Sequence, residues 1–270
     1  MCNDRDAADS AAKLRDRVSE AFAAIGEGSA PRVAVVTLQG TLCPVTRAHV
    51  EALLEARSLL LGQTSERGQV AERPKALPIF DFVVGFIGVN DDGHAASKFG
   101  GRRPSAGFIP AVDRRALVDL AIAEHSWIVS CDNVWRSTEA LLGEFPQNGL
   151  VWFEIDGADV ALRSRTWNRA WEGRRYACVG RPADPDGDNG TAAVLRSLEE
   201  EGKGPTSEWY HEGNYLLLPE LPAISSSEIR TALRGGDPMV LRRFLHPSVL
   251  QWFAPKSAVA AAQRARPPAR

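Results

Sequence analysis

The chain has 270 residues, 44% hydrophobic and 24% charged, with 32 Lys and Arg against 34 Asp and Glu for a net charge of −2. That length and apolar content suffice for one sizeable core and most simply one domain, and the near-neutral balance excludes the basic face that DNA or RNA binding usually demands. No run approaches the roughly 18 uninterrupted apolar residues of a membrane helix, and the charged start Met1-Cys2-Asn3-Asp4-Arg5-Asp6 has no secretory core behind it. An intracellular protein is expected, cytoplasmic or nuclear with an organelle not excluded, its cysteines at 2, 43, 131 and 178 reduced and unsuited by spacing to a metal or a disulfide framework.

Residues 1–30 read as an Ala-rich helical extension that ends in the linker Gly26-Glu27-Gly28-Ser29-Ala30-Pro31, an appendage to the main domain at 31–254. Strand-like runs follow at 33–38, 82–89, 127–130, 151–155, 176–180 and 215–218, with helical patterns between most of them. Such alternation predicts βαβ units and an α/β fold, a Rossmann-like doubly wound parallel sheet. The stretches 62–78 and 182–210 are rich in Gly, Pro and charge and read as surface loops or insertions. Helical signals at 238–245 and 247–253 close the domain against a sheet edge, and 255–270 is a basic, disordered tail.

Between the first strand and first helix lies Gly40-Thr41-Leu42-Cys43-Pro44-Val45-Thr46-Arg47-Ala48-His49. A loop there sits at a strand's carboxyl end, where open α/β sheets bind ligands and a helix N-terminus offers N–H groups to phosphate. Thr46 and His49 are three apart, so a helix starting near Thr46 puts both on one face of its first turn. Gly40 lets backbone approach an anion closely, and Pro44 fixes the turn at no cost in helical hydrogen bonds. An ordinary βα connection with a capping histidine explains the segment about as well.

A second segment, Ile224-Ser225-Ser226-Ser227-Glu228-Ile229-Arg230, shifts that balance. Ser225 and Glu228 alone form a capping box. Arg230 adds a forked, permanently charged phosphate partner within the first two turns, and two phosphate-directed helix starts imply a polyphosphate ligand.

Together these segments resemble the nucleotidylyltransferase superfamily, with its first-loop His motif and its late Ile-Ser-Ser-Thr-x-x-Arg motif. The closer resemblance is to nicotinamide/nicotinate mononucleotide adenylyltransferases of the eukaryotic type, which read Gly-Ser-Phe-Asn-Pro-x-Thr-x-x-His. Gly88-Val89-Asn90-Asp91, Ser126-Trp127-Ile128, Trp135-x-x-Thr138, Gly157-Ala158-Asp159, Thr166-Trp167-Asn168-Arg169-Ala170 and Cys178-Val179-Gly180-Arg181 follow in the family's order. The likeness covers about residues 32–254. The chain departs from it at Thr41-Leu42-Cys43, where a thiol replaces the family's Asn, in an enlarged loop at Gly93-His94-Ala95-Ala96, in a short middle between Thr138 and Gly157, and at Ser227.

The resemblance implies transfer of the adenylyl group of ATP to nicotinamide or nicotinate mononucleotide, with Mg²⁺ carried mainly by the ATP phosphates and no metal held by protein ligands. It assigns His49 and Arg230 to catalysis, and ATP to Gly40, Thr41, Leu42, Thr46, His49, Gly157, Asp159, Ser226, Ser227 and Arg230. For the acceptor it points to Asn90, Lys98, Trp127, Thr138 and Trp167, with Trp127 and Trp167 stacking on the pyridine ring, although a chain with seven tryptophans uses most of them for packing. Neither a nucleic acid nor a membrane is an expected partner, and homo-oligomerisation stays open. So do two alternatives, a sister transferase acting on phosphopantetheine or a sugar or alcohol phosphate, and a silent nucleotide-binding relative. The choice between nicotinamide and nicotinate is not legible.

Overall fold

A computed structural model describes residues 4–24, 31–65, 67, 72–98, 108–146, 149–171, 173–182, 190–222, 226–235 and 237–253. The expected linker from Gly26 and the basic tail at 255–270 lie outside these residues. In chain order the elements are α1 (Asp4–Ala24), β1 (Val33–Gly40), α2 (Arg47–Leu60), β2 (Phe82–Val89), α3 (Asp92–Lys98), α4 (Ala111–Ile122), β3 (Ile128–Cys131), α5 (Val134–Glu144), β4 (Val151–Gly157) and α6 (Ala158–Ser164). A 3₁₀ turn (Thr166–Arg169) leads to β5 (Arg174–Val179), α7 (Thr191–Glu200), α8 (Glu208–His211), β6 (Tyr215–Leu218), α9 (Ser226–Gly235) and α10 (Pro238–Phe244). Residues 247–253 are again helical.

All six strands are parallel and stand in the order β3-β2-β1-β4-β5-β6. The chain winds outward from β1 in one direction and from β4 in the other, so the β1/β4 boundary is the switch point at which such sheets open a ligand crevice. Strand alternation divides the core. Ala34, Val36 and Leu38 of β1 join Val50 and Leu53 of α2, Leu117 of α4 and Ile229 of α9 on one face, while Val33 and Val35 face Leu14 of α1 and Leu141 of α5 on the other. A third cluster gathers Ala161, Trp167, Tyr176, Val194 and Tyr215 on that second face, beyond β4.

Two expectations are corrected here. The first helix is no appendage, because Ala11, Leu14, Val18 and Ala21 are fully buried against β3 and α5, and Asp6 ion-pairs with Arg115 of α4. Its Ala-rich composition hid a buried stripe. The stretch 182–210 is no loop throughout either, since α7 lies in it. Two adjacent parallel strands, β5 and β6, require a crossover, and Ala193, Val194 and Leu198 supply its buried side.

Candidate functional site

At the carboxyl end of β1 the chain turns through Thr41-Leu42-Cys43 into α2. Leu42 is buried with φ of +45°, a left-handed conformation that costs a branched residue energy. A Cβ on Gly40 would stand 3.0 Å from Leu42 Cδ2, so the glycine makes room for that turn. The hydroxyl of Thr41 is buried with no hydrogen-bond partner among the described residues.

Thr46 caps α2 and is 2% exposed. Its backbone N–H donates to His49 Nδ1 at 3.0 Å, and its hydroxyl lies 2.8 Å from the same nitrogen. Because a backbone N–H can only donate, Nδ1 is the acceptor, and the proton of the neutral ring resides on Nε2. Burial, followed by the positive charge of Arg181, lowers the His49 pKa to about 4. His49 is therefore a neutral donor at pH 7, aimed by its own helix cap.

Arg230 of α9 reaches this loop, its Nη1 donating to the Cys43 carbonyl at 3.4 Å. The first and late motifs, 187 residues apart, thus meet at one strand end. Arg181, just past β5, is exposed and close enough to oppose protonation of His49. No role was assigned to it from sequence, where it was the last residue of a matched stretch.

Arg114 was also missed. It is fully buried, and its guanidinium donates to the Thr41 carbonyl at 2.6 Å, to the Ile109 carbonyl at 2.8 Å and to Asp92 Oδ1 at 2.8 Å. This one side chain ties the first loop to the starts of α3 and α4. In the sequence it is one of two adjacent arginines, Arg114 and Arg115, in a helical pattern that also carries Asp113 and Asp119, and nothing there sets it apart.

Beyond β2 and β3 lies a cavity of about 860 Å³. Its lining includes Gln39, Asn90, Trp135 and six charged residues: Asp91, Asp92, Asp132 and Glu139 against Arg115 and Arg136. Gln39 organises the wall, donating to Asn90 Oδ1 at 2.9 Å and accepting from Val134 N–H at 3.0 Å. Asn133 Oδ1 caps α5 by accepting from the N–H groups of Trp135 and Arg136 at 3.0 and 3.1 Å. That cap fixes Trp135 at the rim with 38% of its surface exposed.

Of the tryptophans named from sequence, Trp135 lines this cavity, and Trp127 and Trp167 do not. Trp127 precedes β3, at the amino end of the strand and level with the middle of β2, where Arg57 lies 5.3 Å over its ring. Ligands of a parallel sheet gather at the opposite end. Trp167 is 2% exposed, its Nε1 donates to Glu201 at 2.9 Å and its ring meets Tyr215 edge-on, so both of its faces are used by the core. Trp135, which the sequence offers only as the partner of Thr138 in its motif, is the tryptophan at the cavity rim.

The remaining expected residues divide in the same way. Asn90 lines the cavity, and Thr138, three residues beyond Trp135, is fully buried with its hydroxyl unpartnered among the described residues. Gly157 and the exposed Asp159 stand at the carboxyl end of β4, where a Cβ on Gly157 would come within 2.9 Å of Asp159 Oδ1. The side chains of Lys98, Ser226 and Ser227 lie outside the described residues, as does Ser225.

Fold and crevice together define a Rossmann-like α/β protein whose switch point is cationic around α2 and acidic beyond β2 and β3. In structure the chain is similar to a Plasmodium falciparum nicotinic acid mononucleotide adenylyltransferase complexed with APC, at 12% sequence identity and a TM-score of 0.46, covering 83% of this chain and 96% of that one. No protein-family model and no curated protein matches the chain. Among the described residues, no helix is long and apolar enough to cross a membrane.

Proposed function

We propose that this protein transfers the adenylyl group of ATP to the phosphate of nicotinamide or nicotinate mononucleotide, forming the dinucleotide and releasing pyrophosphate. The observation that carries the reading is the meeting of His49 and Arg230 at the first loop, beside a separate cavity with an exposed aromatic rim. An acceptor phosphate oxygen attacks the α-phosphorus, the bond from that phosphorus to the β-phosphate bridging oxygen breaks, and the electron pair leaves with pyrophosphate. The nucleophile is already ionised, so alignment and charge stabilisation are the protein's main tasks. His49 donates from Nε2 to the ATP phosphates, while Arg181 and Arg230 offset the charge that grows on the leaving group. Thr41 and Gly40 shape the anion's seat, Asp159 and Gly157 receive the adenosine ribose, and Trp135 carries the acceptor ring.

Mg²⁺ arriving on ATP would supply further neutralisation of the phosphates. Among the described residues there is no group of three or more His, Cys, Asp or Glu suited to hold a metal by themselves. The reading gives the ion phosphate oxygens as its main ligands.

The test is pyrophosphate release from Mg-ATP with nicotinamide mononucleotide, nicotinate mononucleotide and phosphopantetheine offered separately, with His49→Ala as control. Release that needs a pyridine mononucleotide and His49 is expected. Release with phosphopantetheine alone would assign the sister reaction, and ATP binding without release would mark a silent relative.

A further inference from the structure

Side chains alternate along a strand, so Trp152 and Glu154 of β4 share the second face of the sheet with Arg174 of β5 and with Val35 and Thr37 of β1. That face is apolar under α1 and α5, and again under α6 and α7. Where β4 pairs with β5 it carries a buried ion pair. The Arg174 guanidinium donates through Nε, at 3.1 Å, and through Nη2 to the same carboxylate oxygen of Glu154. Such a pair seldom adds stability over apolar residues of the same volume, and its better-attested use is to fix one arrangement of the chain.

The side chain it touches is Trp135. The guanidinium carbon lies 3.6 Å from the centroid of the Trp135 ring, a contact separation that places it over the face of the indole. Trp152 meets Trp135 edge-on at 5.8 Å, and its own centroid is 4.8 Å from the same guanidinium. The three distances form a triangle that sets Trp152 on the same side of the Trp135 ring as Arg174. Trp152 is itself pinned, for it is buried and its Nε1 donates to Thr37 Oγ1 at 2.8 Å. Neither group stands against the opposite face of Trp135, which keeps part of its surface exposed where it lines the cavity.

Resting on the adenylyl-transfer reading, we infer that Arg174 and Glu154 are positioning residues for the acceptor: the carboxylate holds the guanidinium flat, and the guanidinium backs Trp135 so that the ring's opposite face is presented to the acceptor ring. Neither residue lines the cavity, so both act through Trp135. The Asn133 cap fixes only the backbone of the first turn of α5. The side-chain torsions of Trp135 are set from behind, by β4 and β5. An unbacked indole has to be ordered when ligand arrives, at a cost in affinity that a backed one avoids.

The pairing with Glu154 has a second consequence. A cation on one face of an indole competes with a cationic ring on the other, since both draw on the same π density, and the carboxylate cancels much of that competition. Lysine would not serve in place of Arg174, because an ammonium has neither a plane to stack nor a fork for the carboxylate.

The experiment measures KM and kcat with each pyridine mononucleotide, the KM for ATP, and calorimetric binding of each mononucleotide. It compares wild type, Arg174→Lys and the double variant Glu154→Gln with Arg174→Met, each with and without Trp135→Ala. The double variant removes both buried charges together and should resist denaturant as well as the wild type. It should nevertheless raise the acceptor KM and weaken mononucleotide binding by about fivefold, as should Arg174→Lys, with the KM for ATP within about twofold. In the Trp135→Ala background the same changes should add less than about twofold, because the group they act through is gone. If the double variant unfolds, Arg174→Lys carries the same two comparisons. Acceptor constants close to wild type in the folded variants, or losses that persist undiminished without Trp135, overturn the inference and leave adenylyl transfer standing. A wild type that neither binds nor uses either mononucleotide overturns both.

Discussion

The two ends of the crevice differ in charge and in how they are held. Around α2, His49, Arg181 and Arg230 converge on a loop whose own carbonyl groups are tied down by Arg114 and Arg230. Beyond β2 and β3, the walls are carboxylates and amides arranged by Gln39 and Asn133, with Trp135 at the rim. In the adenylyl-transfer reading, a ligand that spans both ends carries phosphates at one and a flat, electron-poor ring at the other. The difference also teaches that the cationic end joins segments 187 residues apart, whereas the cavity is drawn from residues 39 to 139 and arranged by Gln39 together with the cap of α5.

The largest predicted effect breaks the cationic end alone. His49→Ala should lower kcat for pyrophosphate release by about two orders of magnitude or more, as loss of a preorganised donor does elsewhere, while the acceptor KM stays near its wild-type value. A loss below tenfold would remove His49 from the chemistry. Arg114→Met strikes the same end through its support. Three charged hydrogen bonds vanish and two backbone carbonyls lose their donor. A stability loss of about 3 kcal/mol in denaturant unfolding is expected, with a fall in kcat that extra ATP does not rescue.

Trp135→Ala sharpens the comparison from the other side. Loss of the aromatic face should raise the acceptor KM by about tenfold, consistent with roughly 1.5 kcal/mol for stacking, and leave the KM for ATP within twofold. Trp127→Ala, at the amino edge of the sheet, should leave both constants unchanged. Equal effects of the two substitutions on the acceptor KM would show that the cavity beside Trp135 is not where the ring sits.

The smallest effects are expected in the pH dependence of stability, where the two ends carry opposite signs. His49 is lowered from 6.5 to about 4, mainly by burial. As pH falls from 6.5 toward 4, the unfolded chain takes up a proton that the folded chain refuses, so stability is lost over that window. Asp156 is raised from 3.8 to about 7 by burial and by Glu154. The folded chain keeps its proton where the unfolded chain releases it, so this group's contribution is full below 3.8 and is lost as pH rises through 7. Thermal unfolding from pH 4 to 8 should accordingly show a flatter acid limb for His49→Ala, and for Asp156→Asn a gain over wild type at pH 8 that disappears near pH 4.

Much of this architecture was legible one residue at a time. The strand runs at 82–89 and 215–218 coincide with β2 and β6, because a strand buried on both faces writes itself as unbroken apolar sequence. The first loop was equally legible, since glycine, proline and a helix cap are local signals. The helix α7 was obscured by the Gly, Pro and charge around it, although a parallel β5/β6 pair demands a crossover. Lys98 and the serines of the late motif were named from sequence and their side chains remain outside the described residues.

What the sequence determined by itself, then, was the alternating α/β order, the sheet's burial and the place of the first loop, all properties of neighbours along the chain. Only the tertiary structure decided that Arg230 meets Cys43, that Arg114 braces the loop from 73 residues away, that α1 belongs to the core and that Trp135, not Trp127, faces the cavity. Those outcomes depend on which end of a strand a residue occupies and which face the register turns inward. Hydropathy cannot distinguish one tryptophan from another until the strands have been set side by side.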